Sequence, residues 1–213
     1  AMRAVPSPLA DFPSGTAFGT LVHGVLETVD TAAVDLETEL SARCHDAVAR
    51  RPRSEVDADA LATGLLPALD TPLGGLVDRR RLRDFTAADR LAELDFEFPL
   101  AGGDSPRGTA ATLADIAGLL RLHLSSSDPL AGYADALHSP ALAWQRLRGY
   151  LSGSIDAVLR LRAPDGDARY LVVDYKTNWL GTFGPDGAEP LSAWHYRPAA
   201  LAEEMVRAHY PLQ

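Results

Sequence analysis

Two alternating segments joined by a short turn constrain this chain most. From Tyr150 to Arg162, Ile155, Ala157, Leu159 and Leu161 fall on one side and Asp156, Val158, Arg160 and Arg162 on the other. That is the period-two pattern of a half-buried strand. Ala163-Pro164-Asp165-Gly166-Asp167 reads as a turn, because proline presets φ and glycine accepts positive φ. Arg169 to Tyr175 is a second strand, and its nearly unbroken apolar run predicts burial on both faces. A turn this short makes the strands antiparallel. With a loop from Pro164 to Gly166, Asp156 stands opposite Asp174, and Asp174 shares a face with Lys176. A slip of one residue would leave the aspartates as diagonal neighbours.

Two carboxylates roughly 5 Å apart across strands repel each other. A cation between them removes the conflict, and hard oxygen donors with few protein ligands suit Mg²⁺. Lys176 is the only lysine in a chain whose other basic side chains are all arginine. A compact ammonium kept beside two carboxylates points to chemistry that a planar guanidinium does not supply. The bland alternative is an ordinary Asp-Lys ion pair on a surface strand.

Asp156 followed by Asp174-Tyr175-Lys176, with apolar strand residues before each aspartate, resembles the core of the PD-(D/E)XK nuclease superfamily. The longer strings Gly153-Ser154-Ile155-Asp156 and Asp174-Tyr175-Lys176-Thr177-Asn178-Trp179-Leu180-Gly181 are similar to the carboxy-terminal nuclease domain of RecB-type subunits of RecBCD helicase–nucleases. Gly19 to Glu27 is similar to the first motif of the same domains. There the resemblance makes His23 a metal ligand; by itself His23 reads as a half-buried helix histidine. The resemblance further implies Mg²⁺ held by Asp156, Asp174, the Tyr175 carbonyl and His23, with Mn²⁺ or Ca²⁺ able to substitute in binding. It assigns Lys176 to the attacking water or the developing phosphorane charge, and Glu93 to a supporting carboxylate. Asp95 and Glu97 are weaker matches for that carboxylate. Asn178 and Gln213 are the implied substrate contacts.

The implied fold is α/β: a central mixed sheet flanked by helices, restriction-endonuclease-like, with a helical amino-terminal half. A single nuclease domain is expected over 1–213, helical over 15–90 and sheet core over 90–213. His209-Tyr210-Pro211-Leu212-Gln213 resembles the lead-in to a further family motif, so a longer polypeptide is expected. The implied partners are DNA, a helicase part of the same polypeptide and other subunits of a RecBCD-like complex.

Composition bounds this reading. A formal net charge of −9 over 213 residues argues against an autonomous high-affinity DNA binder, because phosphate neutralisation supplies most non-specific affinity. DNA delivered by the rest of a larger machine meets the objection. Cys44 stands alone, so no disulfide framework forms within the chain. No apolar run approaches a membrane span, and a cytoplasmic setting with no membrane partner is expected. The rival is a nuclease-like fold without catalysis, serving as scaffold or DNA-handling module.

Other elements follow from pattern. Residues 1–14 read as an extended arm. Helices are expected from Thr16 to about Val29, Ala32 to Arg51, Ala58 to Leu66 (stopped by Pro67), Leu113 to Leu124, Leu130 to His138 and Ala200 to His209. Arg90 to Leu100 is a strand. Arg79-Arg80-Arg81-Leu82-Arg83 is either a solvated helix end or a phosphate or partner contact.

Overall fold

The structure is a computed structural model that describes residues 1–104, 108–162, 166–184 and 187–213. Three helices come first: α1 (Thr16–Thr28), α2 (Leu36–Ala49) and α3 (Ala58–Asp70). Asp35 and Asp57 cap α2 and α3, each side chain accepting an amide three residues on. Strand β1 (Arg90–Pro99) precedes two helices, α4 (Leu113–His123) and α5 (Tyr133–Leu137). Strands β2 (Tyr150–Arg162) and β3 (Ala168–Val173) follow, then a two-residue hairpin, β4 (Phe183–Gly184) with β5 (Gly187–Ala188), and a last helix, α6 (Pro198–Arg207).

The main sheet runs β1-β2-β3 and is antiparallel throughout among the described residues. It is therefore not mixed, although the α/β class, with helices packed on a sheet, is what the structure shows. The β2–β3 ladder pairs Ala157 with Val173, Val158 with Val172 and Leu159 with Leu171. This is the register expected from a loop over Pro164 to Gly166; residues 163–165 of that turn lie outside the described residues. Ala157, Leu159 and Leu161 are buried, and Leu159 and Leu161 join the core formed by α1, α2 and α3. A second, smaller core joins α4 and α5 around Leu113, Tyr133 and Leu137.

Strand β3 departs from expectation. It is an edge strand, and Tyr170 and Val172 are 65% and 60% exposed, so its apolar run is not buried on both faces. Leu171 and Val173 pack on the core, and Tyr175 joins them beyond the ladder. The period of two thus persists after hydrogen bonding has stopped.

Pro67 does not end α3, which continues to Asp70. Burial of Leu69 at 0% exposure offsets the backbone bond that proline cannot make. The amino-terminal segment is no free arm. Ser7 donates to the Leu191 carbonyl and Ala193 to that of Val5, while Leu9 and Phe12 pack on the core. The arginine run is largely spent on the fold. Arg81 and Arg83 pair with Asp70 at 3.5 and 2.8 Å, and Arg80 lies over the Phe85 ring. Helix α2 begins at Leu36, later than expected, because Asp35 caps it.

Candidate active site

One row across the sheet carries the acidic residues. On β1, Ala92 pairs with Ala157 and Leu94 with Ile155, so Glu93 stands opposite Asp156. On the other side the last rung is Ala157–Val173, and the next position would set Asp156 against Asp174. Both neighbours leave regular pairing at this row. Glu93 has φ of 50°, a left-handed conformation costly for a side chain with Cβ, and β3 ends at Val173. Asp156 uses the freed space, its Oδ2 accepting the Tyr175 amide at 2.6 Å.

Helix α1 brings the next donor. Its buried stripe of Leu21, Val22, Val25 and Leu26 leaves His23 turned toward the sheet end. His23 Nδ1 lies 3.2 Å from Asp156 Oδ1, with the side chains 35% and 11% exposed. The His23 ring meets Tyr175 edge-to-face at 6.1 Å. Gly19 permits the approach of α1, since a Cβ there would stand 3.1 Å from Thr177 Oγ1. Burial pushes the Tyr175 phenol above its ordinary pKa, with the charge of Arg90 offsetting part of the rise. The Tyr175 hydroxyl and Arg90 Nε are both buried and have no hydrogen-bond partner among the described residues.

Lys176 forms an ion pair with Asp174, and its ammonium lies 4.6 Å from the centre of the Tyr210 ring. Gln213 Nε2 also reaches Asp174 Oδ1, at 3.5 Å. Asn178 ties this segment to the carboxy-terminal part. Its Nδ2 donates to Glu204, its Oδ1 accepts from the Tyr210 hydroxyl, and its carbonyl accepts from Tyr196. Glu204 in turn holds Arg207 through two bonds of 2.7 Å, and this pairing keeps its carboxyl below the usual range.

These parts enclose an open cleft of about 960 Å³. Of the residues singled out in the sequence, His23, Glu93, Asp156, Tyr175, Lys176 and Asn178 line it. Asp174 does not; it is exposed and connects to the cleft through Lys176. Asp95 and Glu97 line a separate surface dip and Glu93 alone of the three faces the cleft. Ser154, Arg51, Trp179 and Tyr210 also line the cleft, and the sequence pattern assigns them no role. Ser154 donates to Glu93, and its position two before Asp156 on one strand was the available signal.

A model of the PD-(D/E)XK nuclease superfamily matches residues 3–182. The chain belongs to that superfamily. Residues 3–182 take in the row just described, with Asp156 on β2 and Asp174-Tyr175-Lys176 where β3 ends. The chain is 49% identical over 209 residues to the RecBCD enzyme subunit RecB of Mycolicibacterium smegmatis, covering 98% of this chain and 18% of that protein. It is 50% identical over 214 residues to RecBCD enzyme subunit RecB of Mycobacterium tuberculosis strain H37Rv, covering 97% and 18%. The counterpart from Escherichia coli is 28% identical over 211 residues, covering 95% and 14%. The chain therefore spans under a fifth of the length of these relatives.

PD-(D/E)XK nucleases generally use divalent metal ions. As the side chains stand, no three His, Cys, Asp or Glu among the described residues converge on one point. The donor chemistry still fits a hard cation: Asp156 and His23 present adjacent oxygen and nitrogen atoms, and Glu93 flanks Asp156 in the row. Among the described residues no single helix is long and apolar enough to cross a membrane.

Proposed function

We propose that this chain hydrolyses DNA phosphodiester bonds with Mg²⁺, as the nuclease part of a RecBCD-type helicase–nuclease of exodeoxyribonuclease V type. Double-strand-break repair and DNA degradation in the cytoplasm are its setting. The observation that carries the reading is the row of Glu93, Asp156 and the Asp174 position, with His23 on one side and Lys176 on the other.

Asp156, Asp174, His23 and the Tyr175 carbonyl are the residues that would hold the ion. A divalent ion held there would supply Lewis acidity toward the phosphate and toward a coordinated water. The Tyr175 amide fixes the rotamer of Asp156. His23 orients the other oxygen of the same carboxylate. Lys176 places an ammonium in the cleft to orient the attacking water or to stabilise charge growing on the phosphate oxygens. Glu93, steered by Ser154, supports from the far side of Asp156. Asn178 fixes the cleft wall against α6, and Gln213, next to Asp174, is the second substrate contact. The net charge of −9 is consistent with DNA being delivered by other parts of a helicase–nuclease.

That no three donors converge among the described residues favours one rival, a scaffold with this fold and no catalysis. Incubating the chain with labelled single- and double-stranded DNA, with Mg²⁺ or Mn²⁺ and with chelator, separates the two. Metal-dependent degradation that Asp174→Asn abolishes is expected. DNA left intact in every metal, or equal degradation by Asp174→Asn, defeats the nuclease reading.

A further inference from the structure

Trp179 lines the candidate active-site cleft and also a second recess of about 560 Å³ behind it. Its indole is held in place: a Cβ on Gly181 would lie 2.2 Å from the ring, so glycine lets the backbone pass close beneath. Phe183 supports it at 5.1 Å between ring centres and is itself 77% exposed. The recess beyond is lined by Arg3, Arg197 and Arg207 against Glu203 and Glu204. Its balance is thus positive in a chain of net charge −9. Arg207 is committed to Glu204. Arg197 makes no ion pair among the described residues, and Arg3 reaches Glu189 only at 4.0 Å. Both guanidinium groups lie against Trp194, at 4.9 Å for Arg3 and 4.2 Å for Arg197. His195, 5% exposed, also lines the recess. Its Nδ1 accepts the Ser192 amide at 3.1 Å, so in the neutral ring the proton sits on Nε2, a donor.

Aromatic faces beside one arginine with no ion pair among the described residues and one held only at 4.0 Å, next to the proposed nuclease cleft, match the needs of a single strand: a π-surface for a base and cations for its phosphate. We propose that this recess is a single-strand site, where a nucleotide of the strand leaving the cleft stacks on Trp179 and sets its phosphate against Arg197 and Arg3. The site rests on the nuclease reading and extends it, giving the strand a path past Trp179 toward α6. An apolar ligand would leave the two arginines unused, and a free phosphate would leave the indoles unused.

The test is fluorescence anisotropy of labelled oligothymidylates of about 4 and about 16 nucleotides, spanning the site sizes of single-strand grooves. Chelator is present so that nothing is cut. Trp179→Ala, Arg197→Gln and Arg3→Ala are compared with wild type, and Trp144→Ala serves as an aromatic control elsewhere on the surface, at 79% exposure. Arg3 is a surface side chain, 66% exposed, so its variant tests the site even if Trp179→Ala fails to fold. For the long strand, Trp179→Ala is expected to weaken binding roughly tenfold. Each arginine variant should lower the slope of log Kd against log salt by about 0.7. The short strand should be affected much less, and Trp144→Ala should match wild type. Unchanged affinity and slope in Arg3→Ala and Arg197→Gln overturn the recess while leaving the nuclease reading intact, as does equal weakening at both lengths. Failure of wild type to bind either strand or to cut DNA in metal overturns both.

Discussion

His23 Nδ1 lies 3.2 Å from Asp156 Oδ1, joining α1 to β2 across 133 residues of sequence. The other oxygen of that carboxylate accepts the Tyr175 amide. Asp156 is therefore at once a candidate ligand and a structural acceptor. Asp156→Asn keeps an acceptor and the shape but loses the charge. It should fold normally, with no nuclease activity and no metal-induced rise in Tm. Asp156→Ala leaves the Tyr175 amide unpartnered and should cost a further 1–3 kcal/mol or so in chemical denaturation. Equal stability of the two variants would show that the Tyr175 bond contributes nothing.

His23→Ala separates a ligand from a packing residue. The ring is about one-third exposed, so its loss should change stability by less than about 1 kcal/mol. Metal binding should weaken, seen as a smaller rise in Tm at a given Mn²⁺ or Mg²⁺ concentration. A stability loss with an undiminished metal response would return His23 to a structural role.

Lys176 is tested by two variants. The ammonium pairs with Asp174 and lies over Tyr210, a place where a wide guanidinium changes the donor geometry. Lys176→Arg and Lys176→Ala should each lose on the order of 10²–10³ in cleavage rate. Metal affinity should not fall in either, because lysine is not a ligand. If the pair with Asp174 were only a surface ion pair, Lys176→Arg would cut DNA at the wild-type rate.

Glu93 holds a left-handed backbone at the cleft, a conformation worth about 1–3 kcal/mol of strain for a residue with Cβ. Glycine adopts it freely but costs about 0.5–1 kcal/mol in unfolded-chain entropy. Glu93→Gly should therefore be no less stable than wild type while losing activity. A drop in Tm on this change would mean that the bond from Ser154 to Glu93 outweighs the strain.

Asp89 offers a pH test away from the site. Arg160 and Arg162 donate to it at 2.8 and 3.0 Å, and these bonds hold its carboxyl below the usual range. An unfolded aspartate titrates near 3.9. The stabilisation is therefore full above about pH 5 and is lost as pH falls through the lower folded value. Asp89→Asn should flatten the acid side of the stability–pH curve, measured by urea unfolding between about pH 2 and 5.

What local chemistry controls is legible along the chain. The period of two in residues 150–162 placed Ala157, Leu159 and Leu161 in the core, and the short turn set the antiparallel register that aligns Asp156 with the Asp174 position. Other outcomes depend on partners distant in the chain and emerge only on packing. Whether β3 is buried depends on what covers it, and Tyr170 and Val172 are left exposed on an edge. Pro67 stays helical because Leu69 finds the core, an energy no window around the proline contains. Arg81 and Arg83 pair with Asp70 because a helix end packs beside them. The left-handed turn at Glu93 is invisible in an alternating strand, since strain of that kind is tolerated only where surrounding contacts impose it. The meeting of His23 with Asp156 requires α1 to pack on the sheet, which Gly19 permits by leaving room for Thr177.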